Sequence, residues 1–329
     1  MLVEIKENIP IAPYTVYKIG GPAIFFVEIK NSEELKEALN FAVDKNLPFF
    51  ILGAGSNVLI SDQGFNGLVI KISGGNIKVD GESLMIDSGV MMARAVAESA
   101  KAGLTGFEWG IGVPGTVGGS VRGNAGCFGN EMSQILEHTQ VFEVKSEKLK
   151  VKNLGKNSAG RIFGLSNKEC KFNYRDSVFK KHPEWVILSA TLKLQKGDPK
   201  EIQEKIKKFT ADRSEKQDIG TKSCGCIFKN IKWSDTNKAE ILEKFSFLEQ
   251  FKDRPTIPAS FLIDQIGLKN LRKGKIFISP KHANFFVNEG GGTAAEVKIL
   301  IETVKEKIKN HFGLTLEEEI QYLGDHDPH

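Results

Sequence analysis

Along residues 23–52 the apolar positions change period twice. Ala23 to Ile29 reads A-I-F-F-V-E-I, a run of β-forming residues. Leu35, Ala38, Leu39, Ala42 and Val43 then recur three and four apart, which predicts a helix with Ser32 as its N-cap. After Pro48 the run F-F-I-L predicts a buried strand feeding the turn G-A-G-S-N, Gly53 to Asn57. Strand patterns return at Gly67–Ile72 and Ser83–Asp87. Met91–Gly103 is Ala-rich and helical, with Gly103 as its stop. V-F-E-V at Val141 and V-I-L-S-A-T-L-K-L at Val186–Leu194 predict strands. A helix follows from about Lys200 to Arg213. The last long helix starts at Thr293, with Glu296 completing a capping box. Its apolar face is Val297, Leu300, Ile301, Val304 and Ile308, and Gly313 closes it. L-T-L-E-E-E-I-Q-Y-L-G then predicts a strand. The chain shows no internal repeat. Gln195–Pro199 (Q-K-G-D-P) is the best domain boundary.

Composition narrows the class. At 329 residues the chain has room for two domains. Lys and Arg total 45 against 41 Asp and Glu, and a net charge of +4 does not suggest a nucleic-acid surface. Four cysteines are too few for a disulfide scaffold, so a reduced, cytoplasmic protein is expected. No apolar run approaches the ~18 residues of a membrane span, and the N-terminus lacks a signal-peptide pattern.

The glycines change the picture more. In G-A-G-S-N, glycine lets successive backbone N–H groups face inward, which suits a pyrophosphate. The turn lacks the third glycine of a dinucleotide fingerprint and the lysine of a P-loop. An ordinary tight turn is the plain alternative. A second element, Gly106–Gly129, has nine glycines in 24 residues. It is too irregular for collagen and too apolar for a flexible linker. It serves packing alone or lets backbone approach something flat or anionic. Two such elements in one domain favour a large phosphate-containing cofactor.

Three further stretches carry candidate chemistry. Arg175, within C-K-F-N-Y-R-D-S-V-F-K, is flanked by aromatic residues and suits a carboxylate or enolate. Glu317–Glu319 reads as solvated charge, or in strand geometry as one face aimed at a site. Cys224 and Cys226 form C-x-C with no second cysteine pair and no histidine at ligand spacing, which disfavours zinc. No metal site is expected. Packing as small apolar side chains is their plain reading.

Taken in order, these blocks resemble the UDP-N-acetylenolpyruvoylglucosamine reductase family. The resemblance runs from about Ala12 to Gly324. It rests on Y-T-V-Y-K-I-G-G-P-A, L-G-A-G-S-N-V-L-I-S-D, G-I-G-V-P-G-T-V-G-G-S-V-R-G-N-A-G, F-N-Y-R-D-S-V-F-K, C-G-C-I-F-K-N, S-P-K-H-A-N-F-F-V-N and L-E-E-E-I. It implies an FAD-binding domain of the vanillyl-alcohol-oxidase (PCMH) type at 1–198, in subdomains of about 1–72 and 73–198. A smaller α+β substrate-binding domain would span 199–325, and 326–329 would be a tail. It implies FAD and NADPH, with reduction of an enolpyruvyl ether of a UDP-sugar for peptidoglycan synthesis, by a monomer without membrane or nucleic-acid partners. Gly53, Ala54, Gly55, Ser56, Asn57, Pro114, Gly115, Thr116, Gly118, Gly119, Ser120 and Asn124 would bind the cofactor. Arg175 and Glu319 would polarise the substrate carboxylate. Tyr174, Lys216, Asn230 and His282 would contact substrate. The family's proton-donating serine is Cys226 here. Its R-x-x-x-Q-P is R-S-E-K-Q-D, with Asp218 in place of proline, and an insertion after Asn230 adds W-S-D-T-N-K-A-E-I-L-E-K-F, expected as a surface helix. The alternative is another flavin oxidoreductase of the same cofactor fold, acting on a sugar or alcohol.

Overall fold

The computed structural model describes residues 3–144 and 160–324. The expected tail at 326–329 lies outside them. The chain forms two compact units. One comprises residues 1–9, 22–54 and 65–215, and the other 10–21, 55–64 and 216–329. The division after Glu215 leaves the helix Pro199–Lys216, save its last residue, with the first unit, whereas the sequence reading places a boundary at 198/199.

In the first unit a four-stranded sheet has the order Lys6–Pro10, Pro22–Ile29, Phe65–Ile72, Phe49–Leu52. Phe65–Ile72 runs parallel to both of its neighbours. Helix α1 (Ser32–Asp44) buries Leu35, Ala38, Leu39 and Ala42 beside Val27, Ile29, Leu68 and Ile70. Its cap is Asn31, one residue before the expected Ser32. The Asn31 side chain accepts the N–H groups of Glu33 (3.1 Å) and Glu34 (2.9 Å). Val43, expected on the buried face, is 39% exposed.

A five-stranded antiparallel sheet follows in the order Gly160–Ser166, Leu136–Val144, Trp185–Lys193, Ser83–Asp87, Ile77–Asp80. Helices α2 (Met92–Lys101) and α3 (Val117–Gly123) share its core through Val96, Val117 and Val121. Gly103 follows α2 with φ +67°, the left-handed stop that its position predicts. Helix α4 (Pro199–Lys216) contributes Ile206 and Phe209 to the same core.

The second unit draws its core from three stretches of chain. Tyr17, Ile19 and Leu59 join Leu262 and Ile263 of helix α6 (Ala259–Gln265) and the apolar face of helix α7 (Ala294–Phe312). The insertion forms helix α5 (Lys238–Lys244) and a 3-10 turn, Ser246–Phe251. It is more than the surface helix expected, because Trp233, Ile241, Leu248 and Phe251 are buried in this core. The predicted last strand is short, Gln321–Leu323, and runs parallel to Val58–Ile60.

The start of α7 is held twice. Thr293 and Glu296 form the predicted capping box, each side chain bonding the other's N–H at 3.1 Å. The Asp62 carboxylate accepts from Ala294 N–H (2.8 Å) and Ala295 N–H (3.1 Å). A negative charge at this end also suits the helix dipole. Thr293→Ala and Asp62→Ala should each cost about 1 kcal/mol, read as a lower urea midpoint at unchanged slope. Unaltered midpoints in both variants would show that these caps do not hold the helix.

Candidate active site

The two glycine-rich elements meet in the first unit. Thr116 caps α3, its Oγ1 accepting Gly119 N–H at 3.3 Å. A Cβ on Gly53 would lie 2.7 Å from that same Oγ1, so only glycine fits there. Behind the turn, Lys71 Nζ donates to the Gly53 carbonyl at 2.9 Å. Burial lowers the Lys71 pKa, against the attraction of Glu28. In the second element, the N–H groups of Val117 and Gly118 go to the carbonyls of Val90 (2.8 Å) and Ser88 (2.9 Å). Gly115, Thr116, Gly118 and Ser120 are buried, and Pro114 and Gly119 are exposed. The buried members therefore shape the element from within, and the exposed pair lies at its surface.

Asn124 is wholly buried and ends α3 in the left-handed conformation, with φ 44°. Its Oδ1 accepts Ser133 N–H and its Nδ2 donates to the Asn173 carbonyl, both at 3.0 Å. It thus grips the loop that carries Arg175. Asn173 and Asp176 exchange backbone bonds of 3.0 Å, leaving Tyr174 and Arg175 at the tip of a tight turn. Arg175 has φ +54°, which costs a non-glycine residue roughly 1–2 kcal/mol. Its Nη2 donates to the Gly126 carbonyl at 2.8 Å, and its guanidinium lies 5.5 Å from the Tyr174 ring centroid. Lys180 Nζ donates to the Arg175 carbonyl at 2.6 Å. Nearby, burial raises the Cys127 thiol pKa, and Arg213 and Arg175 oppose it.

In the second unit, Gly55 has φ +65°, and a Cβ there would lie 2.6 Å from the Tyr14 carbonyl oxygen. The Gly55 carbonyl accepts Val16 N–H at 3.0 Å. The N–H groups of Ala54, Gly55 and Asn57 donate to no protein acceptor among the described residues. A loop with open N–H donors, and with no room for a side chain at Gly53 and Gly55, fits a diphosphate. Asn57 has a second task. Its Nδ2 donates to the Glu319 carbonyl (3.1 Å), and its own carbonyl accepts Gln321 N–H (2.9 Å).

Three segments of this unit lie side by side. Ile227 N–H donates to the Asn284 carbonyl at 2.9 Å, and the Ile227 carbonyl accepts Glu319 N–H at 2.7 Å. Cys226 faces Phe285 and Phe228 faces Glu318 in isolated bridges. The Asn284 side chain bonds both polar backbone groups of Phe228, at 2.9 and 2.8 Å. Cys226, Glu319 and the turn bearing His282 are thereby drawn together. The three glutamates part: Glu317 pairs with Lys229, Glu318 with Lys305 (3.0 Å) and Tyr322, and the charge of Glu319 is felt by Cys224.

Cys224 is 2% exposed, and burial drives its thiol pKa far up. Cys226 is half-buried, and all four cysteines are free thiols. No cluster of three or more candidate metal-binding side chains occurs among the described residues. The Asn230 Oδ1 accepts Ala259 N–H (3.1 Å) at the start of α6. Lys216 is exposed at the end of α4. Tyr174 and Arg175 belong to one compact unit; Lys216, Cys226, Asn230, His282 and Glu319 belong to the other. Sequence reading missed Asn284, whose only trace was its place in S-P-K-H-A-N, and the joining role of Asn57.

Residues 23–146 match the family described as FAD binding domain. Residues 217–323 match the UDP-N-acetylenolpyruvoylglucosamine reductase, C-terminal domain. The UDP-N-acetylenolpyruvoylglucosamine reductase of Rubrobacter xylanophilus is 34% identical over 325 residues, covering 97% of this chain and 95% of that protein. The enzyme of the same name from Carboxydothermus hydrogenoformans is 34% identical, covering 98% and 94%. The crystal structure of the Thermus caldophilus UDP-N-acetylenolpyruvylglucosamine reductase superposes with a TM-score of 0.73 at 30% identity, covering 98% and 99%.

Gly55→Ala places a Cβ against backbone in left-handed geometry. It should weaken flavin retention by about tenfold or more, read as flavin absorbance per polypeptide after dialysis. Full retention would remove this turn from the cofactor site.

Proposed function

We infer the function from kinship: the chain belongs to the UDP-N-acetylenolpyruvoylglucosamine reductase family, and we propose that it reduces UDP-N-acetylglucosamine enolpyruvate to UDP-N-acetylmuramate with NADPH, for peptidoglycan synthesis. Bound FAD would supply the hydride chemistry, taking hydride from NADPH and passing it to the terminal carbon of the enolpyruvyl ether. Gly53, Ala54, Gly55, Ser56 and Asn57 would hold its diphosphate. Pro114 and Gly119 would border it, with Gly115, Thr116, Gly118 and Ser120 shaping their element and Asn124 holding the neighbouring loop.

The chain's own residues would manage charge and proton. Hydride addition builds negative charge on the carbon next to the carboxylate and on the carboxylate itself. The Arg175 guanidinium would hold that charge, and Glu319, in its protonated form, would donate a hydrogen bond to it. The Cys226 thiol would then protonate the carbon and be reprotonated from solvent. A thiol, with a free pKa of about 8.5, is a far stronger acid than a serine hydroxyl. Tyr174, Lys216, Asn230 and His282 would hold the rest of the substrate. The observation that carries this reading is the Glu319 N–H to Ile227 carbonyl bond of 2.7 Å, which fixes Cys226 and Glu319 on adjacent backbone. No helix among the described residues is long and apolar enough to cross a membrane. We propose a cytoplasmic monomer acting on a small molecule, without nucleic-acid partners.

Anaerobic half-reactions test this. Wild-type flavin, once reduced by NADPH, should be reoxidised by UDP-N-acetylglucosamine enolpyruvate; reoxidation by oxygen alone would point to an oxidase instead. In Cys226→Ala, reduction by NADPH should be unchanged and reoxidation by substrate slowed by roughly 10²–10⁴-fold. Cys226→Ser should keep substantial activity. If Cys226→Ala reoxidises at the wild-type rate, the proton comes from elsewhere.

A further inference from the structure

The stretch between α4 and Cys226 departs from the family pattern at Asp218, and the structure gives that residue a definite partner. The Asp218 carboxylate accepts a hydrogen bond from the hydroxyl of Ser279, a side chain with no exposed surface. The same hydroxyl oxygen accepts the N–H groups of Lys281 (3.0 Å) and His282 (2.9 Å). Ser279 N–H donates to the Phe285 carbonyl (2.9 Å), and Phe285 N–H to the His282 carbonyl (2.8 Å). The Ser279–Phe285 turn is therefore closed on itself, and Asp218 engages its central oxygen.

Asp218 also organises its own loop. Its carbonyl accepts the Thr221 hydroxyl at 2.8 Å, and the Gln217 carbonyl accepts Ile219 N–H at 3.0 Å. Farther along, the Lys222 carbonyl accepts Asn288 N–H at 2.9 Å. Two tethers, Asp218 to Ser279 and Lys222 to Asn288, fix the segment that begins beside Lys216 and leads into Cys226.

We propose that Asp218 is a positioning residue that sets the Lys216 loop and the His282 turn in one fixed arrangement before substrate arrives. Proline at this position would stiffen the loop through its fixed φ, and it offers no side-chain acceptor. Aspartate reaches a similar end through a charge-assisted hydrogen bond to a second segment. The gain is preorganisation: less ordering remains to be done when the substrate binds. Asp218 itself touches neither the reacting carbon nor the cofactor in this account.

The proposal rests on the function inferred above, so its test has an arm independent of turnover. In the full-length holoenzyme, Asp218→Ala should speed hydrogen exchange in peptides covering 217–222 and 279–285, and leave α1 and α2 unchanged. Its KM for UDP-N-acetylglucosamine enolpyruvate should rise about three- to tenfold, with kcat changed less and flavin reduction by NADPH unaffected. Asp218→Asn, which keeps an acceptor for the Ser279 hydroxyl, should restore most of both readouts. Ser279→Ala should reproduce Asp218→Ala, and the double variant should be no worse than either single one. Wild-type exchange and KM in Asp218→Ala, or additive effects of the two alanine variants, would overturn the proposal. A wild-type enzyme that ignores this substrate would sink the functional reading alone, and the exchange arm would still decide whether Asp218 holds the two segments.

Discussion

The proposed chemistry of the second unit hangs on the backbone of one residue. Ile227 gives its N–H to Asn284 and takes the N–H of Glu319 on its carbonyl. Its side chain is wholly buried, so it cannot turn aside without opening the core. The preceding residue presents the thiol, and the residue bonded to its carbonyl presents the carboxyl. Asn284 secures the next residue as well, through both polar groups of its side chain. Buried amides satisfied in this way hold a geometry far better than side-chain packing alone, because any slip leaves polar groups unpaired in the interior.

The first unit solves a related problem by another route. Arg175 sits in an unfavourable backbone region, and several independent bonds keep it there. Asn124 holds the carbonyl of Asn173, Ser177 Oγ donates to the Arg122 carbonyl at 2.6 Å, and Lys180 donates to the carbonyl of Arg175 itself. Each comes from the end of α3 or from the turn's own flank. A short helix with a buried asparagine at its end thus serves as an anchor for a charged loop.

Much of this was legible in the sequence because it rests on local chemistry. The capping box at Thr293, the stop at Gly103 and the apolar face of α7 follow from spacing, and short-range hydrogen bonds enforce them. The close approach at Gly53 and Gly55 was legible for the same reason: glycine marks places where a Cβ has no room. Long-range pairings were not legible. Nothing near Asn57 says that its side chain meets the Glu319 carbonyl, 262 positions away. Asn124 sits in a glycine-rich motif that suggests a ligand, yet both ends of its amide face protein. The insertion after Asn230 looked peripheral because its polar residues outnumber its apolar ones, but Trp233, Ile241, Leu248 and Phe251 are buried, while Ala239 and Phe247 stay exposed. The Ser32 cap failed by one residue because asparagine and serine stood side by side and either could serve.

The second unit takes its core from three separate stretches of chain, and that has a consequence for how this protein can be taken apart or recombined. A segment cut at residue 199 or 216 would leave behind Tyr17, Ile19 and Leu59, the strand that pairs with Gln321–Leu323, and the aspartate that caps α7. The C-terminal region is therefore not a portable module, although its sequence reads as one. Its boundaries in space and along the chain differ, so shuffling it between relatives would succeed only if the short segments at 10–21 and 55–64 travelled with it.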